Sequence, residues 1–303
     1  MSVLWTHFSQ GSYYRWAEHL TLGFFLFTQY RRALDTCQPY VLATKMVSDL
    51  LEWAPLGIDV RGSGLILDPQ SQANEEFLGL LKNLDQLTFG PLGMEMPKWV
   101  FYDCGVMPSA VFGFCGPASD LEPWVLRALQ VPPDYEGLVP YTIFIAIPTL
   151  EKGAWFTHTL CSINEVCTGA VPAGLTMLSF ALGLRTLRAQ QLYGTTQWRS
   201  QRLRTFVSMG PLELVTAYTP GHSVKRTLTW RLKLRRFLTE AAVLKPGTSP
   251  AAPPATHMLE VDDEMALIAL QKELEAGICY QIVGPPVTRG SIVQVPLHRG
   301  PIT

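Results

Sequence analysis

The chain has 303 residues, enough for one large domain or two small ones with a real core. Apolar residues make up 48% and charged residues only 16%, which points to much interior, an apolar cavity or an interface. A formal net charge of -1 excludes a global field that would gather nucleic acid or anionic lipid, so neither is expected as a partner.

Residues 1–56 read as a helical segment. The opening MSVLWTHFSQ lacks a basic leader and a small-residue cleavage site, and LTLGFFLF (20–27) is too short to cross a bilayer. A cytoplasmic protein without membrane contact is therefore expected. In YYRWAEHLTLGFFLFTQYRRAL (13–34) aromatics and leucines recur at three-to-four spacing. The next stretch, 35–53, carries an early proline and apolar residues at 42, 46, 47, 50, 51 and 53, the pattern of a second helix. So many aromatics need cover, from the rest of the chain or from a second copy, which makes a homo-oligomer through this segment an expectation.

Residues 57–303 read as one α+β domain. APLGIDVRGSGLILDPQ (54–70) is turn chemistry around a short strand, and ANEEFLGLLKNLDQL (73–87) is an amphipathic helix with acids in its first turn. Strands are predicted at 98–107 and 109–116, and Ser119 with Glu122 suggests a capping box before a short helix. YTIFIAIPT and AWFTHTLCSI alternate as two strands around the turn EKG. PAGLTMLSFALGLRTLRAQQL (172–192) is the one strong helix of the second half. RLRTFVSM and LELVTAYTP read as a strand pair. RTLTWRLKL alternates strictly, with Thr227, Thr229, Arg231 and Lys233 on one face and Leu228, Trp230, Leu232 and Leu234 on the other. Its charges are expected on a solvated face. The Pro/Ala-rich 245–258 reads as a mobile linker, 262–277 as a helix stopped by glycine, and ICYQIV and SIVQV as closing strands. A large antiparallel sheet with a few helices is the expected whole.

Six cysteines (37, 104, 115, 161, 167 and 279) form no C-x-x-C pair and no zinc-type cluster. Buried thiols in a reducing compartment are expected, with no metal and no cofactor.

Three local patterns resemble the acetoacetate decarboxylase superfamily. VPYTIFIAIP (139–148) is similar to its PY-x-E strand, and WFTHTLCSINE (155–165) to its aromatic–x–x–His strand, with His158 and Asn164 near the corresponding places. ALGLRTLRA (181–189) sits where the family has its lysine segment. The resemblance implies a cone-like antiparallel sheet around a small-molecule cavity. It does not carry imine chemistry: the lysine is replaced by Arg185 and Arg188, which stay protonated, and the glutamate by Ile143.

On that reading His158 is the candidate catalytic acid/base, against the blander reading of a buried histidine bonded to a carbonyl. Arg185 and Arg188 share a helical face and can clamp a carboxylate, or simply cap their helix. Glu165, Tyr102 and Asp103 complete the candidate ligand-binding set. The expected function is binding of a small carboxylated or carbonyl compound, with lyase-type aldol, dehydration or cyclisation chemistry. A non-catalytic binding or structural protein on the same fold is a second reading. A third is an acyltransferase resembling the GCN5-related family, whose strand, glycine-rich loop, helix and strand VCTGAVPAGLTMLSFALGLRTLRAQQLYGTTQW follows in outline. Against it, GAVPAGLT has no cation for a pyrophosphate, and RTFVSMGPLELVTAY reads as strands where that family has a helix.

Overall fold

The computed structural model describes residues 33–44, 65–106, 110–222, 224–234 and 252–300. The predicted helix over 13–34, apart from its last two residues, and the first half of the linker at 245–258 lie outside them. The end of that linker is not free, because His257 and Met258 open β10 and pair with Leu297 and Pro296. The strands are β1 (Gln38–Leu42), β2 (Leu65–Leu67), β3 (Ala110–Pro117), β4 (Leu138–Pro140), β5 (Thr142–Pro148), β6 (Ala154–Ser162), β7 (Gln191–Gln197), β8 (Leu212–Thr216), β9 (Thr227–Lys233), β10 (His257–Glu260), β11 (Tyr280–Ile282), β12 (Val287–Arg289) and β13 (Ile292–Arg299). All join one sheet in the order β10-β13-β11-β8-β9-β7-β6-β5-β3-β1-β2, with β12 beside β13 and β4 beside β3. The sheet is mixed and largely antiparallel, and it is not closed. Among the described residues only β1–β2 and β6–β7 pair in parallel.

The helices are α1 (Glu75–Phe89), α2 (Trp99–Val106), α3 (Pro123–Ala128), α4 (Leu175–Thr186), α5 (Gln201–Val207) and α6 (Glu264–Glu275). α1 opens with Glu75 and Glu76 at its positive end and buries Phe77, Leu78, Leu80, Leu81 and Leu84 along one stripe. α4 is buried nearly all round. Its close seat on the sheet depends on Gly183, where a Cβ would stand 2.3 Å from the Phe144 ring. Ser179 donates to the Leu175 carbonyl at 2.8 Å and meets the Thr142 hydroxyl at 2.6 Å, so these two buried hydroxyls under α4 are satisfied. α6 is capped by Asp263, whose side chain accepts from the amides of Met265 and Ala266.

The expected capping box of Ser119 with Glu122 does not form, since Glu122 is itself the N-cap of α3 and makes no side-chain cap bond. Four further predicted elements need correction. Within the predicted helix 35–53, Gln38–Leu42 is a strand, and it pairs antiparallel with β3 inside the sheet. Its Pro-Tyr-Val-Leu run is β-branched and aromatic, and burial on both faces removes the polar alternation that would have marked it. The predicted strand 98–107 is α2, burying Phe101, Cys104 and Gly105 at helical spacing. The predicted strand RLRTFVSM contains α5: Ser200 caps it by accepting from the Arg202 amide at 3.1 Å, and Leu203, Phe206 and Val207 form the buried stripe. Finally, the end of the predicted helix 172–192 gives way to β7, a strand in the middle of the sheet. The alternation of β9 holds, with Leu228, Trp230 and Leu232 buried and Arg231 pairing with Glu213 across the strands on the other face.

Five of the six cysteines are buried and none is bonded to another. Among the described residues no helix is long and apolar enough to cross a membrane.

Candidate functional site

The one parallel contact in the middle of the sheet defines the site. α4 carries the chain from the end of β6 back to the start of β7, so the two strands run the same way. Their ladder is short: Ala154 faces Gln191 and Thr157 faces Gly194, and there it stops. β7 continues beside β9 as far as Gln197, and β6 continues beside β5 as far as Ser162. The strands therefore lose their pairing toward their carboxyl ends, which leaves a gap in the ladder between residues 158–162 and 195–197. Crevices at the carboxyl ends of parallel strands are where open α/β sheets bind ligands.

His158 sits where the strands part. Ile145 opposes Thr159 and Ala146 opposes Thr157, so His158 is the extra residue of a β-bulge. The bulge reverses the expected facing: Thr157 now shares the α4 face with Leu160, and Phe156 shares the other with Thr159. His158 itself is exposed, with Nδ1 3.1 Å from the Thr159 hydroxyl and its ring 6.4 Å from that of Phe156. Desolvation by the protein around it still holds the imidazole below its ordinary range.

The gap has a free strand edge. Ile163 donates to the Tyr141 carbonyl at 2.9 Å, which fixes the alternation of the β5–β6 ladder. The amides of Cys161 and Thr159 then face β5, and those of Leu160 and Ser162 face away from it. Ser162 N–H is taken by the Glu165 carboxylate at 2.7 Å. The Leu160 amide points into the gap, where no described strand pairs with it.

On the face away from α4, residues 93–97 cross the gap. Thr159 on β6 donates to the Met96 sulfur at 3.6 Å, and Gln197 on β7 donates to the Met94 sulfur at 3.5 Å. The Met96 amide donates to Asp85 at 2.6 Å. Asp85 is fully buried on α1, and its other oxygen, Oδ1, has no hydrogen-bond partner among the described residues. Burial pushes this carboxyl up to about 6, against the Met96 hydrogen bond and with help from nearby Glu95.

At the mouth, Glu165 pairs with Arg202 of α5, joining the exits of the two strands. Burial raises the Glu165 carboxyl, while Arg202 and the Ser162 amide pull the other way. The loop from 163 to 174 is tied across its width: Asn164 donates to the Val171 carbonyl at 2.8 Å and accepts from its amide at 3.1 Å. It delivers the chain to the α4 N-terminus through Gly174 at φ 87.

The six predicted site residues do not converge. Glu165 is at the mouth of the gap and His158 at its foot. Arg185 is in the last turn of α4 and Arg188 just beyond it at φ 48, where the chain enters β7 at the opposite end of the strands. Tyr102 donates to Glu75, which also pairs with Lys98, and Asp103 is exposed on α2. Asp85, Arg202 and the Leu160 amide were not anticipated. Asp85 looks like any acid on an amphipathic helix, and the other two acquire meaning only from pairing across the sheet.

A separate groove of 630 Å³ lies on the flank of the 163–174 loop nearer β1 and β5, lined by Cys37, Asp120, Tyr141, Asn164, Val171 and Pro172 among others. Among the described residues Asp120 bears the only formal charge on its wall, which disfavours phosphate there. None of the six predicted residues lines it. No protein-family model matches the chain, and no curated protein matches it in sequence.

Proposed function

We propose that this protein binds an acyl-CoA thioester in the gap between β6 and β7 and transfers its acyl group, as an acyltransferase similar to the GCN5-related family. The parting of the two parallel strands carries this reading. A central strand with one unpaired edge recognises an extended, amide-bearing chain by hydrogen-bonding along it, and the pantetheine arm of coenzyme A is such a chain. The strand–loop–helix–strand outline is complete, because β7 follows α4 directly and lies parallel to β6. The helix that family needs after the second strand is α5. The Leu160 amide supplies a donor for the thioester carbonyl oxygen, where charge develops as a nucleophile attacks. The attacking group loses its proton, and the coenzyme leaves as the thiol.

The lyase reading has less support. It needs His158 and the arginines around one enclosed cavity, whereas His158 is exposed, Arg185 and Arg188 lie at the far end of α4, and the sheet is open.

Thermal unfolding with acetyl-CoA tests the proposal. Saturation at a hundred times Kd stabilises by about 2.7 kcal/mol and raises Tm by several degrees, and an added primary amine should release free thiol. No change in Tm with millimolar acetyl-CoA or coenzyme A overturns the reading. Stabilisation without thiol release, over a range of amines, makes the protein a binder only.

A further inference from the structure

The loop between β6 and α4 contains no cation, yet a coenzyme A ligand brings phosphates to this end of the sheet. A guanidinium reaches the head of this loop from across the gap. Arg202 reaches Glu165 at the head of the loop, and Glu165 Oε1 accepts from both Arg202 and the Ser162 amide. The neighbouring arginines pair away from the loop, Arg199 and Arg226 with Asp262, Arg231 with Glu213, and Arg204 with the Pro286 carbonyl, so Arg202 is singled out by having its partner at the loop.

We propose that Arg202 is the phosphate-binding cation of this site and that Glu165 is an internal competitor for it, displaced when a polyphosphate binds. The inference rests on the acyl-CoA reading for the identity of the ligand. Its physical basis is the pair itself. The side chains of Arg202 and Glu165 are 24% and 38% exposed, so the pair is reachable from solvent yet partly desolvated. A guanidinium fork matches phosphate as well as carboxylate, and a phosphate group offers it more charge. The exchange leaves neither partner stranded. Glu165 keeps the Ser162 amide, and the Arg202 backbone stays fixed by its bond to Ser200 while the side chain swings.

The two residues are thereby assigned opposite effects, which a purely structural ion pair would not produce. Calorimetric titration with coenzyme A and, separately, with inorganic pyrophosphate is the test. Arg202→Gln is expected to weaken both by about tenfold or more, with Arg202→Lys, which keeps the charge but loses the fork, falling between it and the wild type. Glu165→Gln still accepts from Ser162 but no longer holds the cation, and is expected to bind both about tenfold more tightly than the wild type. A Glu165→Gln protein that binds no more tightly, or an Arg202→Gln protein that binds as well as the wild type, overturns the proposal. If neither probe binds any of the proteins, this proposal and the acyl-CoA reading fall together. If pyrophosphate responds as expected while acetyl-CoA does not bind, the phosphate site stands and the acyl-CoA reading fails.

Discussion

Asp85 is an acid on a helix whose buried stripe is otherwise leucine and phenylalanine, and its position decides its chemistry. The carboxyl meets the Met96 amide with one oxygen and nothing described with the other, with Glu95 and the buried Cys161 thiol as its titratable neighbours. Its folded-state value of about 6 lies above the ordinary 3.8. Below about pH 4 the group is protonated whether the chain is folded or not. Between about 4 and 6 the folded state keeps a proton that the unfolded chain has released, so stability falls as pH rises through that window, by about 3 kcal/mol at most. Above it the loss is constant. Asp85→Asn can still accept from Met96 and should flatten this part of the profile. Urea unfolding of both proteins at intervals from pH 4 to 8 checks it, and parallel profiles would contradict it. His158 teaches the converse lesson. Its residue type invited a catalytic role, and a one-residue bulge leaves its side chain exposed beside Thr159 and Phe156.

At the scale of elements, the strands and helices whose pattern is strong were legible. α1, α6, β5, β6 and β9 follow from apolar spacing and end signals, and Asp263 announces α6 just as a capping acid should. The failures share a cause. Gln38–Leu42, Trp99–Val106 and Gln201–Val207 are short, and a short apolar run fits either period until something packs on it. For α5 the decisive contacts are Phe206 against Phe180 and against Trp230, at ring separations of 6.0 and 4.4 Å. α4 gives the sharpest prediction at this scale. A methyl group at Gly183 would overlap Phe144 and touch Phe112, so Gly183→Ala should cost about 1–3 kcal/mol. Chemical unfolding measures it, and a loss below about 0.5 kcal/mol would show that α4 is not seated as described.

At the scale of the molecule, the gap exists because one crossover connection is embedded in an otherwise antiparallel stretch of sheet. β5 and β6 are joined by a tight turn and stay paired along their length, whereas β6 and β7 are joined through α4 and diverge. Ligand should therefore be felt at one end of one strand pair. Acetyl-CoA is expected to slow amide exchange at Leu160 and in the first turn of α4, which lie outside the groove beside Asp120, leaving β10 to β13 unchanged. Protection centred on Cys37 and Tyr141 instead would move the site to the groove beside Asp120.

Composition, alternation and capping residues determined by themselves that this is an α+β chain with a large, mostly antiparallel sheet, and which faces of its long helices and of β9 are apolar. These properties are local, because a side chain's periodicity is fixed by the backbone that carries it. Only the tertiary structure decided that β6 and β7 are parallel neighbours that part, that Asp85 is buried, and that Arg202 meets Glu165. Each depends on residues far apart in the chain being brought together, and the free energy of those contacts belongs to the pair and leaves no mark on either segment alone.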